Sequence, residues 1–500
     1  MVVFSRHQLH SFISIFVTIH PHETYNVFYS TSSFFFVLSA YFVVLPLRDE
    51  GAISLGIRNL PGLFVGSLLL TLIATPLTTL VFSSSNISKA KALALIHRIF
   101  SASLVLFFIL WMLSSPANSI PNVKKFLSTS SYAVEEDVKV EVHRTSSNLS
   151  DVEDHGWFCM SVRICFFLWV ALLNLITMSS TWARVIDAMD NESGSRLFGF
   201  IGAGATFGQL FGSLFATTMS WLGPYLFLIA SLLMELAARS SERINKDMSH
   251  SSEEVSHHRR TEINKKSIQK EPSQRTASSA ASVTKPRFWA LLEGIRLICA
   301  SSYLLQVSLF LWLSAMTNSF FYFQKITIIA STVASPAERR QSFAQINSLV
   351  AVFILAGQLT LTGRILTAAG VTIALCSTPL FSFLNLIAIA VWPTYLSVAA
   401  LETFRKVITY VVTRPGRELL YTVVSQDEKY KAKVCIDVLV QRIGDAIAAG
   451  IYKKLYSSFD GKTTTISLYA LPVCFLWILT GFHLGRRQTQ LAKARNPSSS

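Results

Sequence analysis

Apolar runs of about twenty residues, each closed by a charge or a Pro/Gly turn, recur along the whole 500-residue chain. A hydrocarbon layer about 30 Å thick takes roughly 20 residues of helix to cross, with every backbone group satisfied inside the helix. Read from charge to charge, the spans fall at residues 25–47, 60–82, 92–113, 160–182, 197–220 and 225–238, the last bounded by the Trp221–Pro224 turn. A Ser-, His-, Lys- and Glu-rich stretch without apolar period follows, as expected for a solvated tether. Six more spans then run at 297–323, 342–363, 365–391, 393–412, 434–452 and 463–485, the tenth and eleventh carrying charges. The expectation is an all-α polytopic membrane protein of about twelve transmembrane helices. It divides into a tail (1–23), a six-helix bundle (24–238), a charged linker (239–287), a second six-helix bundle (288–486) and a basic tail (487–500).

Composition sharpens this. Hydrophobic residues make up 51% of the chain and charged residues only 15%, against about 25% charged in ordinary globular proteins. So little charge does not cover a water-facing surface of this size, and lipid is the remaining solvent. The net charge of +15 sits in loops and tails, so it points to membrane topology and not to nucleic acid. Lys and Arg concentrate on the tether side, which puts both termini in the cytoplasm. The insert between the third and fourth spans then lies outside, with a sequon at Asn148. Sequons at Asn86 and Asn191 would fall on the inner side of the same topology, so they lend it no support. Residues 12–19 are apolar but too short to span, and fit a targeting segment or a plain tail. Cys159, Cys165, Cys299, Cys376, Cys435 and Cys474 lie in or beside apolar runs without metal-ligand spacing, and read as buried thiols.

The halves also echo one another. Asp190-Asn191-Glu192 with Gly208-Gln209 aligns without gaps on Gln426-Asp427-Glu428 with Gly444-Asp445. Leu45-Pro46-Leu47-Arg48 aligns on Tyr322-Phe323-Gln324-Lys325. With the six-plus-six count, this suggests two homologous bundles in the major facilitator arrangement, whose binding site lies between bundles near the midplane.

Three blocks carry a more specific likeness: YFVVLPLRDEGAISLG (41–56), TWARVIDAMDNESGSRLFGFIGAGATFGQLFG (181–212) and TRPGRELLYTVVSQDEKYKAKVCIDVLVQRIGDAIAAG (413–450). They resemble the ATP:ADP antiporter (nucleotide exchange transporter) family, in particular its major-facilitator-like members of bacteria and plants. The likeness extends over most of 31–485, and residues 414–450 are its most specific part. It implies twelve helices and exchange of nucleotides or similar phosphorylated anions.

Ionisable residues inside a span are costly unless they face water or a partner, and so mark function by default. Glu402, Arg405 and Lys406 share one helical face in the tenth span. They form either an internal ion pair or a cavity wall at which a polyanion competes for Arg405 and Lys406. Arg48 and Lys325, at matching positions of the two halves, suit a di- or triphosphate, with headgroup anchoring as the plain alternative. Asp49 is a resting partner for Arg48. Arg414-Pro415-Gly416-Arg417-Glu418 is expected to break the tenth helix, with Arg414, Arg417 and Glu418 forming an inner gate with Asp427 or Glu428, or a simple helix stop. In the eleventh span Asp437, Gln441 and Asp445 share a face, with Arg442 in reach. An exchanger holds these acids in pairs, whereas a proton-coupled carrier uses Asp437 or Asp445. Gly204, Gly208 and Gly212 read as a small-residue packing stripe and not a dinucleotide fold, since no strand precedes them. Tyr41 and Trp182 are aromatic candidates for base stacking, though packing is the commoner use.

The sequence thus points to a secondary active transporter that exchanges nucleotides or related phosphorylated anions by alternating access across the lipid bilayer. A proton-coupled carrier of another organic anion, and a non-transporting receptor or scaffold built around the tether, are the alternatives. No P-loop, kinase signature, catalytic triad or metal set appears in the sequence, so no enzyme, cofactor, metal or nucleic-acid role is expected. The membrane it occupies and its oligomeric state are left open.

Overall fold

The computed structural model describes residues 10–11, 13–14, 19–21, 23–83, 88–114, 149–188, 191–244, 287–360, 362–424, 432–433 and 435–495. The sequons at Asn86 and Asn148, Asp427, Glu428, most of the tether and residues 1–9 lie outside them, as do the side chains of the Asn191 sequon. Among the described residues, every regular element is helical. The first half holds α1 (Thr24–Ser54), α2 (Leu60–Ser83), α3 (Lys89–Ser114), α4 (Leu149–Ala188), α5 (Asn191–Thr218) and α6 (Leu226–Glu242). A connecting helix, Arg287–Ala300, leads into α7 (Ser302–Thr332), α8 (Pro336–Thr360), α9 (Thr362–Val391), α10 (Tyr395–Ile408), α11 (Gln441–Ser458) and α12 (Thr463–Arg495). Nine helices among the described residues are long and apolar enough to cross a bilayer. The chain is a multi-pass integral membrane protein.

The spans fall where the hydropathy places them, with two local differences. The seventh starts at Ser302 and not at 297, because Ser301 adopts an extended backbone and its side chain accepts from Leu304 N, capping α7. The tenth helix does not break at Pro415. Ahead of it, a π-turn at Thr409–Thr413 adds a residue to the helical path, and Arg414–Leu419 continues as helix. One wide turn absorbs the missing proline donor without ending the helix.

Packing repeats between the halves. In the first, α1 lies against α4, α5 and α6, α3 against α4 and α6, and α2 against α4. Adding six to each number gives the second half: α7 with α10, α11 and α12, α9 with α10 and α12, and α8 with α10. The small-residue stripe behaves as the spacing predicts. A Cβ on Gly204, Gly208 or Gly212 would lie 2.6, 2.3 or 2.5 Å from the backbone oxygens of Thr31, Phe35 or Ser39 on α1. In the second half a Cβ on Gly444 would lie 2.8 Å from Trp312 O on α7. The two sequence alignments, applied independently, carry Gly208 onto Gly444 and Phe35 onto Trp312. The same close approach is thus made twice.

The halves meet along α5 with α8 and α2 with α11, again a symmetric pair. The contact of α1 with α8 has no such counterpart. At the end of the molecule that carries Arg48, one apolar cluster crosses the seam, joining Ile53, Leu60, Leu63 and Phe167 to Phe320, Phe323, Ile326 and Phe343. At the tether end the described apolar clusters stay within one half, around Val27, Phe34 and Leu197 in the first and Tyr303, Leu420 and Trp477 in the second. The bundles are sealed at the Arg48 end.

The thiols depart partly from expectation. Cys435 and Cys474 are buried, whereas Cys165 and Cys299 are exposed on the surface. An apolar neighbourhood in a span is satisfied by lipid as well as by protein, so hydropathy does not separate the two.

Candidate functional site

Arg48 and Asp49 lie near the end of α1, where the helix runs past the seam. Arg48 donates to Asp49 Oδ1 through Nη2 at 2.6 Å and Nε at 3.0 Å. Its guanidinium lies 5.0 Å from the ring centre of Phe167 on α4 and 5.6 Å from that of Tyr322 on α7. Tyr322 donates its hydroxyl to Asp49 Oδ1 at 2.9 Å. Asp49, only 2% exposed, is therefore held by one group from each half. Phe64 of α2 packs against Tyr322 at 5.4 Å and Phe323 at 4.7 Å between ring centres.

Lys325 sits one turn beyond Tyr322 and is 5% exposed. Its ammonium lies 5.4 Å from the ring centre of Tyr322 and 5.7 Å from that of Phe343 on α8. Among the described residues no carboxylate reaches it within ion-pair distance. Buried ammonium groups need compensation, and ring faces supply only part of it.

On α10, Glu402 accepts from Arg405 Nη2 at 2.6 Å and pairs with Lys406 Nζ at 3.2 Å. Arg405 also donates to Asn318 Oδ1 on α7 and lies 4.5 Å from the ring centre of Phe321. Arg405 and Glu402 thus form an ion pair in which both groups are almost fully enclosed. Lys406 keeps more freedom, its side chain 28% exposed. Lys325 lies within electrostatic reach of Lys406, Glu402, Asp49 and Arg48. Tyr41 of α1 couples to Arg48, Asp49, Lys406 and Tyr410. Four cations from α1, α7 and α10 therefore gather around the seam against two carboxylates.

The gating candidates lie elsewhere. Arg417 pairs with Asp437 at 3.1 Å and approaches Glu418 at 4.0 Å, while Lys433 pairs with Glu418. Arg414 lies 5.1 Å from the ring centre of Tyr410. These contacts tie the α10 extension to the start of α11 within the second half, and none of them crosses the seam. Arg442 pairs with Asp445 at 3.6 Å, as the spacing suggests, and Ser319 of α7 donates to Asp445 Oδ1 at 2.6 Å. Asp437 takes Arg417 as its cation, and not Arg442. Trp182 packs against Phe34 at 4.6 Å between ring centres, away from this cluster.

Tyr322, Phe167, Phe64 and Asn318 join the site without having been singled out in the sequence. For Tyr322 a signal existed, since it stands three residues before Lys325 and so shares its helical face. Phe167 and Phe64 are hidden among 36 phenylalanines.

No family model and no curated protein matches this sequence. Solved structures do match its fold. The nucleoside transporter NupG superposes with a TM-score of 0.56 at 11% identity, covering 92% of this chain and 99% of its own. A bacterial homologue of the human lysosomal transporter Spinster, inward-facing and unoccupied, gives 0.53 at 11% identity, covering 95% and 99%. A POT family transporter in complex with a thioalcohol-conjugated peptide gives 0.53 at 9% identity, covering 92% and 96%. The chain has the major facilitator fold.

Proposed function

We propose that the protein is a secondary active transporter that exchanges nucleotides of the ATP/ADP kind, or related phosphorylated anions, by alternating access. The observation that carries this reading is the excess of cations at the seam, above all Lys325, buried against ring faces with no carboxylate partner among the described residues. A phosphate chain offers several acceptor oxygens to such a set. Lys325 and Lys406 act as point charges, and Arg48 offers a fork that matches phosphate geometry. Asp49 and Glu402 hold the cations while the site is empty. The likeness of the sequence blocks to the ATP:ADP antiporter family supports the same substrate class. Arg405 serves this site by fixing Glu402 and α7, and not as a free donor to substrate.

Energy for movement comes from gradients and from differential binding to the two end states. Purified protein in liposomes takes up labelled ATP when ADP or ATP is loaded inside and does so poorly when the lumen is empty. Uptake that ignores the internal nucleotide and follows an imposed pH gradient would overturn exchange.

That second outcome defines the other reading, proton-coupled transport of a different organic anion. A specific chain favours it: Asp445 is held by Ser319, whose neighbour Asn318 accepts from Arg405, which in turn holds Glu402. On this reading, Asp445→Asn abolishes net uptake and spares exchange.

A further inference from the structure

The charges at the seam can be counted. Arg48 cancels Asp49, which it meets at 2.6 Å, and Arg405 cancels Glu402, also at 2.6 Å. Lys406 lies 3.2 Å from the same Glu402, so one carboxylate serves two cations. Lys325 is buried against ring faces, and among the described residues no carboxylate pairs with it. The other polar contacts are neutral: the Tyr322 hydroxyl donates to Asp49, and Asn318 Oδ1 accepts from Arg405. The Arg442–Asp445 pair on α11 cancels within itself. Four positive charges therefore stand against two negative ones. The excess is two, and it resides in the ammonium groups. Enclosure makes this count matter. At an exposed surface, salt screens an excess charge and a more highly charged anion binds more tightly. In a buried site screening is weak, and every uncompensated charge has been stripped of water. An anion with two charges brings the seam to neutrality. One with four leaves it as far from neutral as the empty site, with the sign reversed.

We infer that the seam selects its cargo by charge and takes a phosphate-bearing solute with two net negative charges. This rests on the transport reading proposed above and narrows it. Two sources carry that chemistry. One is a phosphomonoester, dianionic above its second pKa of about 6. The other is ATP with one magnesium ion on its phosphate chain, which halves the charge of the nucleotide. Metal-free ADP and ATP overshoot the count. Asp49 and Glu402 thereby become specificity-determining residues, because the loss of either raises the preferred charge of the cargo by one. Lys325 and Lys406 set it in the opposite direction.

Equilibrium binding to the full-length protein in nanodiscs tests this, at about pH 7.5, where a phosphomonoester is mostly dianionic, and in EDTA. Cyclic AMP, AMP, ADP and ATP keep one base and carry one, two, three and four charges. AMP binds about tenfold or more tightly than either cyclic AMP or metal-free ATP, and excess magnesium tightens ATP by a similar factor. Glucose 6-phosphate separates the sources: binding level with AMP assigns phosphomonoesters at large, and weaker binding assigns a nucleotide. Lys325→Gln removes one cation and moves the preference from AMP towards cyclic AMP. Asp49→Asn removes one carboxylate and moves it towards ADP. Damage to the fold alone weakens the series evenly, and the wild-type order decides by itself where a variant fails to fold. An order that rises with charge to metal-free ATP overturns the inference, as do ATP binding unmoved by magnesium and two variants that shift the order the same way. Binding of none of these anions overturns the transport reading and this inference together. Binding in an order indifferent to charge overturns this inference alone.

Discussion

At the residue scale, the proposed function divides the cluster into cations that hold the fold and cations that bind the ligand. Arg405 is enclosed and has two anchors, Glu402 and Asn318. Replacing it by Gln leaves Glu402 buried with a single ammonium, and breaking a buried pair costs about 3–5 kcal/mol. Arg405→Gln therefore lowers the melting temperature of the detergent-purified protein by several degrees, and Glu402→Gln/Arg405→Gln recovers part of that loss. A melt unchanged by Arg405→Gln would place this arginine among the free donors. Lys325 and Lys406 behave in the opposite way. A charge-assisted hydrogen bond to phosphate contributes about 1.5–3 kcal/mol, so Lys325→Gln or Lys406→Gln raises the KM for ATP about tenfold or more, with little change in melting temperature. Equal loss of stability in all three variants would assign the whole set to structure. The sequence singled these residues out as candidates because intramembrane charge is conspicuous. It did not divide their roles, because the division depends on Asn318 and Tyr322, neutral residues whose importance arises only when α7 faces α1 and α10.

At the scale of elements, the helices and their number were legible because the bilayer imposes a length and a composition on each. Pairing was legible only where small residues recur, at Gly204, Gly208 and Gly212 on α5 and at the aligned Gly444 on α11. The π-turn at Thr409–Thr413 was not, since a proline reads the same whether a helix ends or widens before it. The α1–α5 approach makes a sharp forecast. A methyl on Gly208 meets Phe35 O, and a methyl on Gly444 meets Trp312 O, whereas one on Gly450 meets nothing within 4 Å. Gly208→Ala consequently forces backbone apart and destabilises by about 1–3 kcal/mol, the usual range for overpacking. Gly444→Ala follows at a smaller cost, and Gly450→Ala is neutral or slightly stabilising through helix propensity. Thermal melts of the three variants check the order, and a neutral Gly208→Ala would mean that α1 and α5 are not in backbone contact.

At the scale of the whole molecule, the seal at the Arg48 end rests on more than apolar packing. Arg340, in the first turns of α8, pairs with Glu50 of α1 at 3.8 Å and donates Nε to Ser220 O, in the turn between α5 and α6, at 3.3 Å. Glu50 is 6% exposed, so the pair is shielded from salt and bulk water. Among the described residues it is the ion pair that joins the two halves, and it lies within the contact of α1 with α8 that has no symmetric partner. On the proposed function, opening this end breaks such a contact. A device made by one half on the other biases the equilibrium only by its own free energy, and each 1.4 kcal/mol shifts the populations tenfold. Arg340→Gln removes the charge and the bridge together, but leaves Glu50 to be hydrated most readily in the open state. Both effects favour opening. Spin labels on the exposed Trp221 and Ala334 positions, one on each half, report the separation in a cysteine-free background. The wild type gives predominantly short distances, Arg340→Gln gains a longer population, and Glu50→Gln gains a smaller one because Ser220 O still holds Arg340. Identical distance distributions in all three would show that the apolar cluster around Phe167 and Phe323 closes this end without help from charge.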